Sequence, residues 1–569
     1  MKILERDIPP RACWALEQAG IHPLLARLYA ARGVQNKEEL DDGLAHLLLP
    51  QTLKGAQQAA QLLADAIAAN ANLCIVADYD CDGATACAVA LRGLRALGAQ
   101  CVDYLVPDRV IDGYGLTAPI AERVKAAGAD VLITVDNGIA SLEGVARARE
   151  LGLQVLITDH HLPADQTPDA HVIVNPNQVG CDFSSKSLAG VGVMFYVLLA
   201  LRAELRRRGT YADRPQPKLD DLLPLVALGT VADVVKLDEN NRRLVAQGLK
   251  RIRAGAMPAG VEALFRAAVR DARKASTFDF GFALGPRINA AGRLSDMTVG
   301  IECLVTDDPG RADELAKLLD GINRERRDIE GGMREQAFAM AETLFDEGQT
   351  APSAISVFDP DFHEGVVGIV ASRLKDKLHR PTFVFAASAA PGREQELKGS
   401  GRSIPGFHLR DALDLVAKRH PGVLLKFGGH AMAAGCSIPR SQFDTFSQAL
   451  AQVADEWLDA ATLTRRLDTD GPLAPEYRRT DVVDTLHREV WGQGFAPPTF
   501  SEELEVVSQR LVGEKHLALK LKHQGDAVDG IWFGHTEPLP KRVKLAFRLD
   551  ADEWQGVRRV RFLVEGAEL

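Results

Sequence analysis

Three aspartates stand at alternate positions in VADYDCDG (76–83): Asp78, Asp80 and Asp82, followed by Gly83. Like charges this close repel, and each loses hydration beside the apolar run LCIVA (73–77). A divalent cation is the compensation such a group needs. Taken alone, the motif also reads as a solvated turn or a calcium loop, although the EF-hand spacing fails because no glutamate stands at the twelfth position. Two further stretches favour the cation. VLITV (131–135) is followed by Asp136-Asn137-Gly138, and QVLIT (154–158) by Asp159-His160-His161. A fourth site, Asp233 in ALGTVADVV, follows an apolar helical pattern that can fold over the same edge. Oxygen donors with a single imidazole suit Mn²⁺ or Mg²⁺ better than zinc. The carboxylates suffice for two ions, which a shared carboxylate would hold about 3.5–4 Å apart, the spacing used in phosphoryl hydrolysis.

These residues act together only if a fold gathers them. The runs LCIVA (73–77), CVDYLV (101–106), VLITV (131–135), QVLIT (154–158) and HVIV (171–174) are short, apolar and separated by helical patterns. Such runs predict a parallel α/β sheet buried on both faces. In open sheets of this kind the functional crevice lies outside the carboxyl ends of the strands, so the acidic stretches fall on one edge.

The rest of the chain divides by texture. Residues 1–50 read as a helical segment and 51–265 as the first α/β domain, interrupted by the polar DRPQPKLDD (213–221). Residues 266–350 hold a further motif and one long amphipathic helix, or two abutting ones; Ile322, Ile329 and Met333 keep its stride and Gly331-Gly332 would mark a kink. A second α/β domain spans 351–458, with an exposed loop at AASAAPGREQE (386–396). From 465 to 569, short alternating strands predict a small β-barrel or sandwich. The expected fold class is α/β, with two α/β domains joined by a long helix and a C-terminal all-β domain.

Composition narrows the function. The chain has 569 residues, 46% of them hydrophobic, and a net charge of −10. That size suits about three or four domains, and that charge excludes a protein coated in basic nucleic-acid-binding surface while allowing a local basic channel. The eight cysteines form no CxxC pair, so neither a zinc ribbon nor a disulfide framework is indicated and a reducing cytoplasm is expected. MKILERDIPP lacks an apolar signal core and no run approaches a membrane span.

ADYDCDG, VDNG, TDHH and TVADVV, in this order and spacing, resemble the four motifs of the DHH phosphoesterase superfamily, and nearly the whole chain resembles its single-strand-specific DNA exonuclease branch. The resemblance implies that Asp80, Asp82, Asp136, His160 and Asp233 are metal ligands. Asp136 would bridge; Asp82, His160 and Asp233 would complete one ion and Asp80 the other, with Asp78 a ligand or the group that orients one. His161 would contact the scissile phosphate and Asp159 would orient the histidines, making His161 and Asp136 the catalytic pair; Cys81 is given no role. Four later motifs resemble the phosphate grip of the DHH-associated domain, which in the family closes over the active site. GPRINAAGRLSD offers Arg287, Asn289 and Arg293; FHEGVVGIVASRL offers His363 at a helix start; GSGRS, read as a glycine-rich turn, offers Ser400, Arg402 and Ser403; KFGGHAMAAG offers Gly429 and His430. Arginines fork onto phosphate oxygens, and glycines let backbone amides approach an anion. Arg109 would join this pocket and Tyr114 would stack on a base. The C-terminal strands resemble an OB-fold whose basic strips, Lys515, Lys520 and Lys522 with Arg558, Arg559 and Arg561, would contact single-stranded DNA.

The resemblance therefore implies a 5′→3′ exonuclease that uses two Mn²⁺ or Mg²⁺ ions to release 5′-mononucleotides from single-stranded DNA in repair and recombination. It implies a cytoplasmic monomer with no membrane contact, working with a single-strand-binding protein and a helicase. An alternative within the superfamily is a phosphodiesterase for short oligonucleotides or cyclic dinucleotides, but the extra β-rich domain favours a long polymer. A non-catalytic scaffold is disfavoured because every ligand position is filled. The metal motifs end before 240 and the phosphate motifs before 436, so the chemistry is expected to survive removal of the β-rich domain.

Overall fold

The five apolar runs form one parallel sheet in the computed structural model, which describes residues 1–345, 352–554 and 556–569. The strand order is Val102–Leu105, Leu73–Ala77, Val131–Val135, Gln154–Thr158, Val172–Val174. Alternate residues serve opposite faces. Ile75, Ala77, Ile133 and Val135 join the core of the helices Ala56–Ala68, Cys81–Leu97 and Gly190–Arg207. Cys74, Val76, Leu132 and Val155 pack with Ala118–Ala126 and Leu142–Glu150. A strand covered on both faces needs apolar residues at every position, which is why these runs do not alternate.

The order of connection reverses between Leu73–Ala77 and Val131–Val135, which makes their carboxyl ends a topological switch point. Register aligns Ala77, Val135 and Thr158 across three neighbouring strands. Asp78, Asp136 and Asp159 therefore leave the sheet side by side. Their backbone N–H groups continue the ladder, donating to the carbonyls of Val135, Thr158 and Val174 at 3.3, 3.1 and 3.1 Å.

This sheet belongs to a compact unit made of Ile3–Asp320 and Asp468–Leu569. In that unit the strands Phe500–Val512, His516–His523, Asp526–Phe533, Arg542–Trp554 and Val557–Glu568 close into a five-stranded barrel. The barrel was expected; its attachment was not. Buried side chains run without a break from the α/β layers through Leu473, Trp491 and Phe495 to Phe500 and Phe562 inside the barrel. Asp470 locks the junction. Its carboxylate accepts from the Arg32 guanidinium at 2.8 and 3.0 Å and from the Thr499 amide at 3.0 Å, with Arg6 at 3.3 Å. Arg32 also lies 5.0 Å over the Trp491 ring, and Arg242 4.3 Å over Phe495. Arg6 and Arg32 flank the helices Pro10–Gln18 and Pro23–Ala30, Arg242 lies on the helix Glu239–Arg253, and the first 50 residues include a strand, Lys2–Glu5, where only helix was expected.

Gly321–Leu467, with Met1–Lys2, forms the other unit. The helix Pro309–Glu342 carries the chain into it and continues through Gly331-Gly332, where a kink was expected; a Cβ at either glycine would meet nothing within 4 Å. Its mixed sheet runs in the order Lys426–Gly429, Ala433–Pro439, Glu396–Arg402, Thr382–Ala387, Ile355–Phe358, over a core of Phe383, Phe385, Phe407 and Phe446.

Because the barrel shares a core with the catalytic sheet, it is not a detachable module. Asp470→Ala leaves the Arg32 guanidinium buried without its partner and is expected to cost about 3–5 kcal/mol in urea unfolding. Ending the chain near 465 is expected to lower the melting temperature by about 10 °C or more, or to prevent folding. A truncated protein that melts with the full-length chain would refute the shared core.

Candidate metal centre

Each acidic residue is placed by the element that carries it. Asp80 caps the helix Cys81–Leu97, its Oδ1 accepting from the Gly83 amide at 3.0 Å. Asp82, in the first turn and fully buried, accepts from the amides of Gly190 and Val191 at 2.7 and 2.8 Å. Those amides open the helix Gly190–Arg207, so the positive end of its dipole faces the carboxylate. Position 190 must be glycine: a Cβ there would lie 2.6 Å from Asp136 Cβ. Asp136 itself is left-handed, at φ 60°, and so is Val234, at φ 63°, directly after Asp233. That conformation is costly for a β-branched residue, so the backbone is strained where the fourth motif delivers its carboxylate.

The carboxylates converge. His160 Nε2 lies 3.1 Å from Asp136 Oδ1, 3.4 Å from Asp233 Oδ2 and 3.8 Å from Asp82 Oδ2. Ligand atoms of Asp82, His160 and Asp233 fall within 4.8 Å of one another, and so do those of Asp78, Asp80 and Asp136. Asp136 also groups with His160 and His161, so it borders both clusters. Asp136 Oδ1 and Asp233 Oδ2 are buried and, among the described residues, have His160 Nε2 beside them but no hydrogen bond of good geometry. Buried oxygens are seldom left in that state, and a divalent cation suits both the donor set and the unmatched oxygens. Burial, reinforced by the neighbouring carboxylates, pushes Asp78, Asp136 and Asp233 well above the usual carboxylate range and Asp82 up to about 7.

His161 differs from His160. Burial alone would depress its basicity, but Nδ1 lies 2.7 Å from the Asp159 carboxylate, and that bond lifts it to about 9. Asp159 is fully buried. The bond to His161 and the Ile139 amide at 2.9 Å nonetheless hold it below the usual range. Asn177 and Asn175 donate to the carbonyls of His160 and His161 at 2.6 and 2.9 Å, fixing the loop that carries the pair. Tyr114 places its hydroxyl 3.4 Å from His161 Nε2, and its ring meets Tyr79 edge-on with centroids 6.0 Å apart. Arg109 lies 4.3 Å over the Tyr79 ring. The sequence singled out Arg109 and Tyr114 but missed Tyr79, which joins them, and the Gly190-Val191 amides; the glycines of SLAGVG were the available signal for the latter.

The phosphate motifs hold corrections. GSGRS is not a turn but the end of the strand Glu396–Arg402. Gly399 and Gly401 are required by packing, since a Cβ would come 2.3 Å from Phe385 and 2.4 Å from Phe383. Ser400 and Arg402 alternate to the other face, beside Gly368 in the helix Val367–Leu378, whose approach His363 precedes. Ser403 turns inward, its buried hydroxyl donating to Phe407 O at 2.6 Å, so it braces a bend rather than facing a ligand. Arg287 is also buried, ion-paired with Asp320 at 2.9 Å. Asn289 Oδ1 accepts from the Cys81 amide at 2.8 Å and so holds the metal loop. Arg293 lies a turn further along the same helix. Gly429, at φ 136°, ends a strand, and the exposed His430 follows it with its amide donating to Ala433 O at 2.8 Å. Arg402 is held by Ser400 Oγ at 3.1 Å and by the Gly401 carbonyl at 2.8 Å; burial lowers its basicity, and no described charge offsets that. On the barrel, Lys520, Arg558 and Arg561 pair with Asp529, Asp484 and Asp550, while Lys515, Lys522 and Arg559 are exposed.

Strand order and ligand pattern together place the chain in a class, the metal-dependent phosphoesterases of the DHH type. Residues 72–230 match the DHH family, N-terminal domain; 351–456 match the DHHA1 domain and 469–566 the RecJ OB domain. The single-stranded-DNA-specific exonuclease RecJ of Escherichia coli K12 is 46% identical over 557 residues, which cover 96% of either chain. That of Thermus thermophilus is 34% identical, covering 97% of this chain and 76% of its own. The crystal structure of Thermus thermophilus RecJ in complex with Mn²⁺ matches with a TM-score of 0.81 at 30% identity, over 100% of this chain and 79% of that one; the Mg²⁺ complex gives 0.76 at 29%, over 100% and 78%. The chain belongs to the RecJ family.

Metal affinity should be proton-linked. With Asp82 raised to about 7, the metal-free fold binds protons more tightly than the unfolded chain and loses stability as pH climbs towards 7. A cation needs the ionised carboxylates. The gain in melting temperature from Mn²⁺ over chelator is therefore expected to grow between about pH 5 and 8. Thermal scans across that range check it, and a gain that shrinks with pH would contradict the assigned ligands.

Proposed function

We propose that this chain is a divalent-cation-dependent exonuclease that degrades single-stranded DNA from the 5′ end and releases 5′-mononucleotides in repair and recombination. The observation that carries the reading is the pair of adjacent ligand clusters at the switch point, Asp82–His160–Asp233 and Asp78–Asp80–Asp136, linked by the grouping of Asp136 with His160. Asp82, His160, Asp233 and Asp136 would hold one Mn²⁺ or Mg²⁺ ion, and Asp78, Asp80 and Asp136 the other. Bound there, the ions would supply Lewis acidity for activating water and neutralising charge on the phosphoryl oxygens. His161, kept cationic at neutral pH by Asp159, donates to a phosphoryl oxygen and so favours the transition state over the ground state. Tyr114 restricts its ring. No covalent nucleophile is needed, and burial holds the Cys81 thiol far above the range in which it would act as one.

On the second unit, Ser400, Arg402, His363, Gly429 and His430 are the candidate substrate contacts; on the first, taken by itself, they are Arg109, Tyr114 and Arg293. Arg402 is the strongest of these, a largely desolvated cation with no described counter-charge. The exposed Lys515, Lys522 and Arg559 give the barrel its contact with a longer strand. A helicase would supply unpaired strand and a single-strand-binding protein would hold it open; the working form is a cytoplasmic monomer. No described helix is long and apolar enough to cross a membrane.

End-labelled single-stranded, duplex and RNA substrates, each with Mn²⁺, Mg²⁺ or chelator, test the activity; hydrolysis in chelator or from the 3′ end would overturn it. Asp136→Ala is expected to abolish hydrolysis in a folded protein, and residual turnover above a few per cent would reject the bridge. Arg402→Ala is expected to weaken binding about ten- to a hundred-fold and to lower the salt slope by about 0.7, as for one phosphate contact on a single strand. Titrations in Ca²⁺ across salt concentrations measure both.

A further inference from the structure

One exposed feature of the catalytic unit has no part in the chemistry above. A short helix, Thr277–Asp279, a wide π-type turn, Phe280–Leu284, and the helix Gly285–Leu294 follow one another directly. Phe280, Leu284, Arg287, Ile288 and Ala291 point into the core. The opposite side carries Phe278, Phe282, Asn289 and Arg293. Phe278 is 44% and Phe282 67% exposed, and their rings stack 4.7 Å apart at 25°. Two stacked rings facing water forgo the burial that normally stabilises such side chains, which marks a contact surface. Helical spacing of about 3.6 residues per turn places 278, 282, 289 and 293 on one side, and the π-type turn among them is a feature concentrated at functional sites.

The stripe leads to the metal centre. Asn289 holds the Cys81 amide between two ligands. A Cβ at 292 would lie 1.9 Å from Tyr79 O, and one at 285 would lie 3.1 Å from Ala232 Cβ, next to Asp233. At about 1.5 Å per residue, Phe282 and Phe278 lie roughly 10 and 16 Å along the axis from Asn289. Stacked nucleotides repeat at about 3.4 Å. The Arg270 guanidinium lies 5.8 Å from the Phe278 ring and 3.7 Å from the Asp279 carboxylate, so an arginine paired with Asp279 borders the rings.

We propose that Phe278 and Phe282 are a stacking platform for unpaired bases of the DNA strand, about three to five nucleotides from the scissile phosphate. The proposal rests on the exonuclease reading and gives it a footprint. Stacking does not discriminate among bases, which suits an enzyme that must digest any sequence. A nucleobase fits better than a protein partner because the stripe is continuous with the metal loop and bordered by an arginine.

Oligonucleotides carrying 2-aminopurine at single positions from the second to the sixth, bound in Ca²⁺ to prevent cleavage, test this with wild type, Phe278→Ala, Phe282→Ala and Phe282→Tyr. Fluorescence of the wild-type complex is expected to be quenched at the third to fifth positions. The alanine variants should relieve that quenching and bind a hexanucleotide about five- to a hundred-fold more weakly, with an unchanged melting temperature. The tyrosine variant should retain both quenching and affinity. Alanine variants that match wild type in quenching and affinity would overturn the platform and assign the rings to a protein partner. A wild type that binds no oligonucleotide would overturn the platform together with the reading it rests on.

Discussion

Mutual repulsion among buried carboxylates governs the rest of this structure. Two unit charges about 4 Å apart at an effective dielectric near 20 repel by about 4 kcal/mol, and Asp78, Asp80, Asp82, Asp136 and Asp233 present several such pairs. A hydrogen bond to a charged group returns only about 1.5–3 kcal/mol. The amides of Gly190 and Val191, the helix dipole behind them and the His161 imidazolium therefore reduce the repulsion without removing it. Protons or divalent cations must do the remainder, and the raised carboxyls show which of these the metal-free fold would take. Around that constraint the backbone accepts left-handed geometry at Asp136 and Val234, and a glycine where any side chain would strike Asp136.

Charge elsewhere is arranged with the same economy. Three of the six basic positions singled out on the barrel are tied to aspartates, in Lys520–Asp529, Arg558–Asp484 and Arg561–Asp550, and the chain as a whole is acidic. Long-range attraction of DNA is weak for such a surface. On the proposed reading, affinity would come from a few cations at short range, such as the desolvated Arg402, and from contacts that carry no charge at all.

The metal centre was legible in the sequence because its signals are local. Buried parallel strands are read from uninterrupted apolar runs, and the residue after each run is at the sheet edge whatever the rest of the chain does. The same holds for the barrel strands, whose alternation is local. What escaped depends on partners that only the folded chain brings alongside, near or far in sequence. Asn289 has the type and setting of a phosphate ligand, yet its oxygen is spent on Cys81, 208 positions away. Arg287 and Ser403 look solvent-facing until Asp320 and the Phe407 carbonyl appear beside them. GSGRS read as a turn because glycine is the usual turn residue, whereas Phe383 and Phe385 demand its absent side chain within a strand. The bond between Arg32 and Asp470, 438 positions apart, made the barrel part of the catalytic body, and no local pattern announces it.

That last bond has a consequence during protein synthesis. The unit bearing the metal centre is assembled from two stretches, Ile3–Asp320 and Asp468–Leu569, with the second unit made between them. At about 5–20 residues per second, the final stretch emerges roughly ten to fifty seconds after the acidic and histidine residues of the metal centre have left the ribosome. Until then Arg32, Arg6 and the apolar seat of Trp491 lack their partners, while the intervening unit, with its own core, is free to fold first. A nascent chain thus carries a complete set of ligands on an incomplete support, and a ribosome that stalls before Asp470 releases a fragment without the clamp. The stability of the unit bearing the metal centre is tied in this way to translation past Asp470.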